Sequence, residues 1–210
     1  MPKPIPTHTS YAVLGLLAVR SWTTYELARQ SERSLRWFFP RAERAVYLEA
    51  KRLVELGWAT AESTTTGKRP STVYTITDDG RRALTAWLAR PSSPFQLESE
   101  AALKVFFADQ SGFDDLRSTV EGMRLDARSA VDRLADMAAA RLVGDAPFPE
   151  RVKTTMLSMR LISDLHRTIH DWTDWVAGEI DTLESGDEEA IAEHSMATAN
   201  RIHRAAVDLP

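Results

Sequence analysis

The chain contains no cysteine, which excludes disulfides and any zinc site built on thiolates. It also lacks a long apolar run. The longest, Tyr11 to Val19, is far short of the ~20 residues that span a bilayer. Its flanks do not suit a secretory signal either, with Pro2, Pro4 and Pro6 before it and no small-residue cleavage site after it. A cytoplasmic location and no membrane partner are therefore expected. Glycine never clusters into a phosphate-binding loop; Gly15 and Gly122 stand singly inside helical patterns. No nucleophile motif and no paired-carboxylate signature appears. These absences argue against an enzyme and a cofactor, and they turn attention to binding.

What the chain does have is charge sorted along its length. The overall net charge is −4, yet residues 1–90 hold 14 Lys and Arg against 8 Asp and Glu, while residues 91–210 hold 12 against 22. The first part thus carries +6 and the second −10. A cationic half meeting a polyanion and an acidic half with another task fit this asymmetry.

The cationic half centres on Arg41 to Leu56. At 100° per residue, Val46, Ala50 and Leu53 fall on one helical face, and Arg41, Arg44, Leu48 and Lys51 on the other, flanked by Tyr47 and Arg52. Gly57 stands where a helix ends. Trp58 to Glu62 and Thr72 to Thr77 read as strands. Ser63 to Ser71 between them reads as a long polar hairpin loop, with Lys68 and Arg69 near its tip. A helix with one buried and one cationic face, followed by a cationic hairpin, is the arrangement of a winged helix reading duplex DNA. Upstream, Ser10 to Ala18 predicts a first helix capped by Ser10, with Leu14, Leu17 and Ala18 as its core stripe. Arg20 to Trp22 reads as a turn. Thr23 to Glu26 is a capping box opening a second helix from about Thr24 to Gln30 or somewhat beyond. Pro40 pushes the residue before it out of helical geometry. Thr77 to Asp79 opens a fourth helix that turns Ala83, Leu84, Trp87 and Leu88 inward.

The Pro- and Ser-rich stretch from Arg90 to Phe95 marks a boundary, and no strand is expected beyond it. Glu98 to Asp109 reads as a helix with Leu103, Phe106 and Phe107 on its apolar face. From Asp114, Leu116, Val120, Met123, Ala127, Ala130, Leu134 and Met137 follow a heptad seam. After a break at Gly144 to Pro149, a helix from about Glu150 to Leu183 carries two apolar stripes. One runs Val152, Met159, Ile162, His166, Ile169, Thr173, Val176, Ile180, Leu183, the other Leu157, Leu161, Leu165, Trp172, Trp175. Two stripes need two partners, one from another chain. A weaker helix over Asp187 to Val207 ends the sequence. The expected fold is mainly α: an N-terminal winged helix-turn-helix with a two-stranded wing over 1–90, a linker over 91–97, and an all-helical C-terminal dimerisation domain with long helices over 98–210.

The residues from Val46-Tyr47 through Lys51-Arg52-Leu53, then Gly57, and Gly67 to Pro70 through Tyr74 to Leu84, resemble the recognition-helix and wing signature of the PadR family of bacterial transcriptional regulators. Leu14 to Leu17 and Phe106 to Asp109 are also similar. The likeness covers the first 90 residues well and the helical half loosely. It implies a homodimeric repressor that often recognises small phenolic, drug-like or other effectors in or near the helical part. This chain departs from the family pattern at Arg44, where glycine is usual, at Leu48, where proline is usual, and at Phe39, where tryptophan is common.

Duplex DNA is thus the expected partner. Arg41, Arg44, Lys51, Arg52, Lys68 and Arg69 can neutralise phosphates, and Thr23 and Thr24 at a helix start can donate to one. Arg44, Tyr47 and Leu48 are phased to read bases. A symmetric pair would set its half-sites ~34–36 Å apart. Phe106, Phe107, Met156, Met159, Trp172 and Trp175 are candidates for a small aromatic or apolar effector, although packing alone also accounts for them. His166 and His170 have ligand-compatible spacing near Asp171 and Asp174, but no third ligand is fixed and no metal is expected. The competing reading is a helical interaction module whose winged helix docks protein.

Overall fold

The computed structural model describes residues 4–38, 42–66, 69–145 and 147–207. Pro40, Arg41, Gly67 and Lys68 lie outside these residues, as do the side chains of Arg44 and Arg69. The chain forms two compact units, Met1–Phe95 and Gln96–Pro210.

In the first unit the order is α1 (His8–Val19), β1 (Trp22–Thr23), α2 (Thr24–Ser34), α3 (Ala42–Glu55), β2 (Ala59–Thr66), β3 (Arg69–Ile76) and α4 (Asp78–Leu88). Helix α1 starts two residues earlier than expected because Thr7, not Ser10, is the cap. Ser10 is the third residue of the helix and completes a capping box with Thr7. The capping box at Thr23 and Glu26 starts α2 as anticipated. Ser21 and Trp22 do not simply turn. Trp22 and Thr23 extend as a short strand paired with Tyr74 and Val73, so the sheet has the order β1-β3-β2.

The wing is longer than its composition suggests. The stretch from Ser63 to Ser71 was expected to loop, but Ser63 to Thr66 pair in register with Arg69 to Thr72. The run of β-branched threonines prefers extended backbone, and this overrides the polar, loop-like composition.

Val13, Leu14, Leu17, Leu27, Val46, Ala50 and Leu53 form the core between α1, α2 and α3. Tyr11 stacks on Trp87 of α4 at 4.9 Å between ring centroids. Leu88 does not turn inward; it is exposed at the end of α4. The start of α4 is tied to the end of α3 by one hydroxyl, since Thr77 Oγ1 accepts from the Gly80 N–H and donates to the Gly57 carbonyl. At Gly80 a Cβ would lie 2.2 Å from the Trp58 carbonyl oxygen and 2.9 Å from Ile76. Backbone cannot yield as a side-chain tip can, so Gly80→Ala is expected to destabilise this unit by about 2–3 kcal/mol, as overpacking does. Thermal unfolding of the variant checks this; a melting temperature within a degree of wild type would refute the close approach.

The second unit comprises α5 (Glu100–Phe106), a 3-10 turn (Ala108–Gln110), α6 (Phe113–Leu142), α7 (Val152–Ser185) and α8 (Glu188–Val207). Helix α5 is shorter than expected, capped by Ser99. Its expected apolar face does not pack: Leu103, Phe106 and Phe107 are exposed, and Val105 and Ala108 meet the core instead. The heptad seam of α6 is buried at Leu116, Val120, Ala127, Ala130 and Leu134. It faces Ile162, Thr173, Val176 and Ile180 of α7. The helices run antiparallel, with Arg117 near the start of α6 bonded to Asp181 and Glu184 near the end of α7. Gly186, at φ 68°, ends α7 in the left-handed conformation. The second stripe of α7 lacks cover at Leu157, Leu161 and Trp175.

His166 of α7 titrates against the fold. Burial pushes its pKa below the ordinary histidine value of 6.5, Arg133 on α6 adds to this, and Asp126 opposes it. The unfolded chain therefore takes up the proton first. His166 contributes stability that is complete above pH 6.5 and is lost as pH falls through its lowered folded value. Denaturant unfolding of His166→Gln should accordingly show a shallower acid loss of stability than wild type. Identical pH profiles would rule out this contribution.

Candidate nucleic-acid interface

Helix α3 divides its residues as the 3.6 period requires. Val46, Ala50 and Leu53 are fully buried against α1 and α2. Leu48 is 69% exposed, Tyr47 47% exposed and Lys51 exposed, side by side at i, i+1 and i+4 on the opposite face. The end of the helix is fixed by a Schellman motif. The Gly57 N–H bonds to the Val54 carbonyl, the Trp58 N–H bonds to the Leu53 carbonyl, and Gly57 has φ 78°. This turn sends the chain directly into β2. The hairpin is buried at its root through Ala59, Tyr74 and Ile76, while Thr60 to Thr65 are exposed along the projecting strand.

Two of the expected phosphate donors are otherwise engaged. The Thr23 N–H and hydroxyl both donate to Glu26 Oε2, at 2.9 and 2.8 Å. The Thr24 hydroxyl donates to the Thr72 carbonyl at 3.2 Å. The start of α2 thus carries its own carboxylate. Hydrogen bonds from the Thr23 backbone and side chain hold Glu26 below its ordinary pKa, and Arg20 lowers it further. The capping box thus occupies the Thr23 donors and the Glu26 N–H at this helix start and sets a carboxylate beside them. Arg52 is also partnered, its Nη1 lying 3.0 Å from Glu49 Oε1. Glu49 itself was not singled out from sequence. Its phase places it at the edge of the buried face, which is the one signal that marks it.

The six aromatic and methionine positions proposed for an effector are not brought together within one chain. Met156 and Met159 precede Trp172 on α7 by roughly 24 and 20 Å of helix. Trp172 packs on the core formed by Leu116, Val120, Val176 and Ile180. Phe106 and Phe107 are exposed and meet edge to face at 4.9 Å. Helical rise separates residues that composition groups as one set. His170 Nδ1 stands 3.7 Å from Asp174, and among the described residues no cluster of three ligands is placed to hold a metal ion. Among those residues, no helix is long and apolar enough to cross a membrane.

Residues 13–86 match the sequence profile described as the Transcriptional regulator PadR-like family. That match lies within the N-terminal unit, which is where the chain is similar to the PadR-like family. That family consists of transcriptional regulators, not enzymes. The Negative transcriptional regulator PadR of Bacillus subtilis (strain 168) is 32% identical over 99 residues, which are 46% of this chain and 54% of that protein. The chain spans about half the length of the curated relatives it matches. The crystal structure of Bacillus subtilis PadR in complex with operator DNA superposes with a TM-score of 0.68 at 21% identity, covering 81% of this chain and 98% of that one. Its complex with p-coumaric acid gives a TM-score of 0.64 at 21% identity, covering 82% and 98%. At such identity the likeness is one of fold: a PadR-like winged helix with a small antiparallel sheet, followed by long helices.

Proposed function

We propose that the chain is a cytoplasmic, homodimeric DNA-binding regulator that represses transcription and is released by a small aromatic or apolar effector. The observation that carries this reading is α3, which buries Val46, Ala50 and Leu53 and leaves Tyr47, Leu48 and Lys51 outward beside a projecting hairpin. The sequence adds the cations Arg41, Arg44, Lys68 and Arg69 to this part of the chain. In this reading residues 1–90 bind the duplex, 91–97 link, and 98–210 pair two copies and receive the effector.

Pairing is supported by the uncovered stripe of α7, where Leu157 and Leu161 are exposed. A second copy that covers it places two reading helices on one duplex, and a ligand that binds two arrangements of the pair unequally then changes DNA affinity. Repression is supported by the Bacillus subtilis relative, a negative regulator, and the effector by the complex of that protein with p-coumaric acid.

The experiment is selection of bound duplexes by the purified protein, followed by single base-pair substitutions in the selected site. Wild type should lose about 1–3 kcal/mol per mismatch. Leu48→Ala should lose discrimination at one A·T position, where Leu48 meets a thymine methyl. A selection that returns random sequence, or base preferences unchanged in Leu48→Ala, would overturn the assignment.

A further inference from the structure

The reading helix contains a carboxylate that faces the wrong way for DNA. Glu49 is 6% exposed, and its side chain lies between α3 and the first turn of α1. Oε2 accepts from the Ser10 hydroxyl at 2.5 Å. Ser10 is itself fully buried and takes the Thr7 N–H at 2.9 Å, so the capping box of α1 continues into Glu49. Oε1 receives Arg52 Nη1 at 3.0 Å, one helical turn along. The guanidinium is drawn off the outward face toward the protein, and only 34% of the Arg52 side chain remains exposed. Lys51, next to it in sequence, is exposed and enters none of the ion pairs found among the described residues.

A buried carboxylate needs a compensating cation and hydrogen bonds, and Glu49 has both. The charge of Arg52 is therefore engaged by a buried carboxylate of its own helix. A guanidinium in this position also fixes the turn of α3 that carries Leu48 and Lys51, because its partner is anchored through Ser10 to another helix.

We propose that Glu49 is a positioning residue of the reading surface. It withdraws Arg52 from the cations available to phosphate, ties α3 to the first turn of α1, and leaves Lys51 as the phosphate contact at this end of the helix. The inference rests on the DNA-binding reading for its consequence, and on the Ser10–Glu49–Arg52 geometry for its cause.

The test has two arms, both on the full chain. In the first, affinity for a mixed-sequence duplex of about 30 base pairs is measured against NaCl concentration. Each phosphate contact contributes about 0.9 to the slope of log affinity on log salt. Lys51→Gln is expected to reduce that slope by about one contact per bound copy, and Arg52→Gln to leave it unchanged. Glu49→Gln retains the bond to Ser10 but releases the Arg52 charge, so it is expected to steepen the slope by about one contact. In the second arm, thermal unfolding is followed without DNA. Arg52→Gln should lower the melting temperature by several degrees, because Glu49 is left buried without its cation, and Lys51→Gln should leave it within a degree.

A salt slope that falls in Arg52→Gln as it does in Lys51→Gln overturns the proposal, as does an unchanged melting temperature in Arg52→Gln. If wild type shows no salt-dependent binding to duplex, the DNA reading fails, and the unfolding arm still decides whether Glu49 holds Arg52. If Glu49→Gln does not fold, the comparison of Arg52→Gln with Lys51→Gln decides alone.

Discussion

Raising NaCl from 50 to 200 mM is expected to weaken binding to duplex DNA by roughly 10³- to 10⁵-fold, the loss that accompanies 6–10 phosphate contacts. In the proposed reading each of two copies brings Arg41, Arg44, Lys51, Lys68 and Arg69, enough cations for that number of contacts. The expectation runs against the bulk composition, since the chain as a whole is acidic, with a net charge of −4. It depends on the separation of charge, because residues 91–210 carry −10 and would repel a polyanion if they shared its surface. A titration of a selected duplex at several salt concentrations provides the measurement. An affinity that changes less than tenfold over this range would mean that the cations of α3 and the wing do not meet phosphates.

Leu53→Ala is expected to lower the stability of the N-terminal unit by about 2–5 kcal/mol. Leu53 is fully buried, on the face of α3 opposite Leu48 and Lys51, and its carbonyl accepts the Trp58 N–H that closes the helix end. Truncation leaves a cavity between helices whose own hydrogen bonds prevent them from closing in. For a unit of this size each kcal/mol is worth roughly 4–8 °C, so its unfolding transition should fall by at least ~8 °C. The useful comparison is with Leu48→Ala, five residues earlier and exposed, which should leave that transition nearly in place. Equal shifts in the two variants would contradict the division of α3 into a buried and an outward face.

The contrast between these two leucines also shows what was legible in the sequence. The 3.6-residue phase separates Val46, Ala50 and Leu53 from Tyr47, Leu48 and Lys51 because burial along a helix follows angle alone. Gly57 was legible for a similar reason: a Schellman turn places a left-handed residue there, and glycine adopts it without strain. The heptad seam of α6 could be read because Leu116, Val120, Ala127, Ala130 and Leu134 are buried on a helix that packs against one long neighbour, α7.

What failed was what depends on a specific partner. Thr23 has the chemistry of a phosphate donor, and only the rotamer of Glu26 shows that its donors are used. Glu49 and Ser10 are 39 residues apart in sequence and meet through the crossing of α1 and α3, which no local pattern encodes. Phe106 and Phe107 fell on an apolar face by phase, yet α5 ends at Phe106 and the chain passes into a tighter turn. The wing was underestimated because threonine, serine and proline signal loops by composition, whereas strand pairing depends on register.

The sheet order β1-β3-β2 leaves the outer side of β2 without a strand beside it among the described residues. An open backbone edge of this kind is a template on which a stray extended peptide can add itself. Here the edge is lined by Thr60, Ala61, Glu62, Ser63, Thr64 and Thr65, all exposed. Hydroxyls and one acidic group keep that border wet and discourage self-association, so the projecting hairpin can stay solvated in the absence of a duplex. Replacing Thr60, Glu62 and Thr64 together with valine would turn a soluble margin into an adhesive one, visible as turbidity at concentrations where the parent solution stays clear.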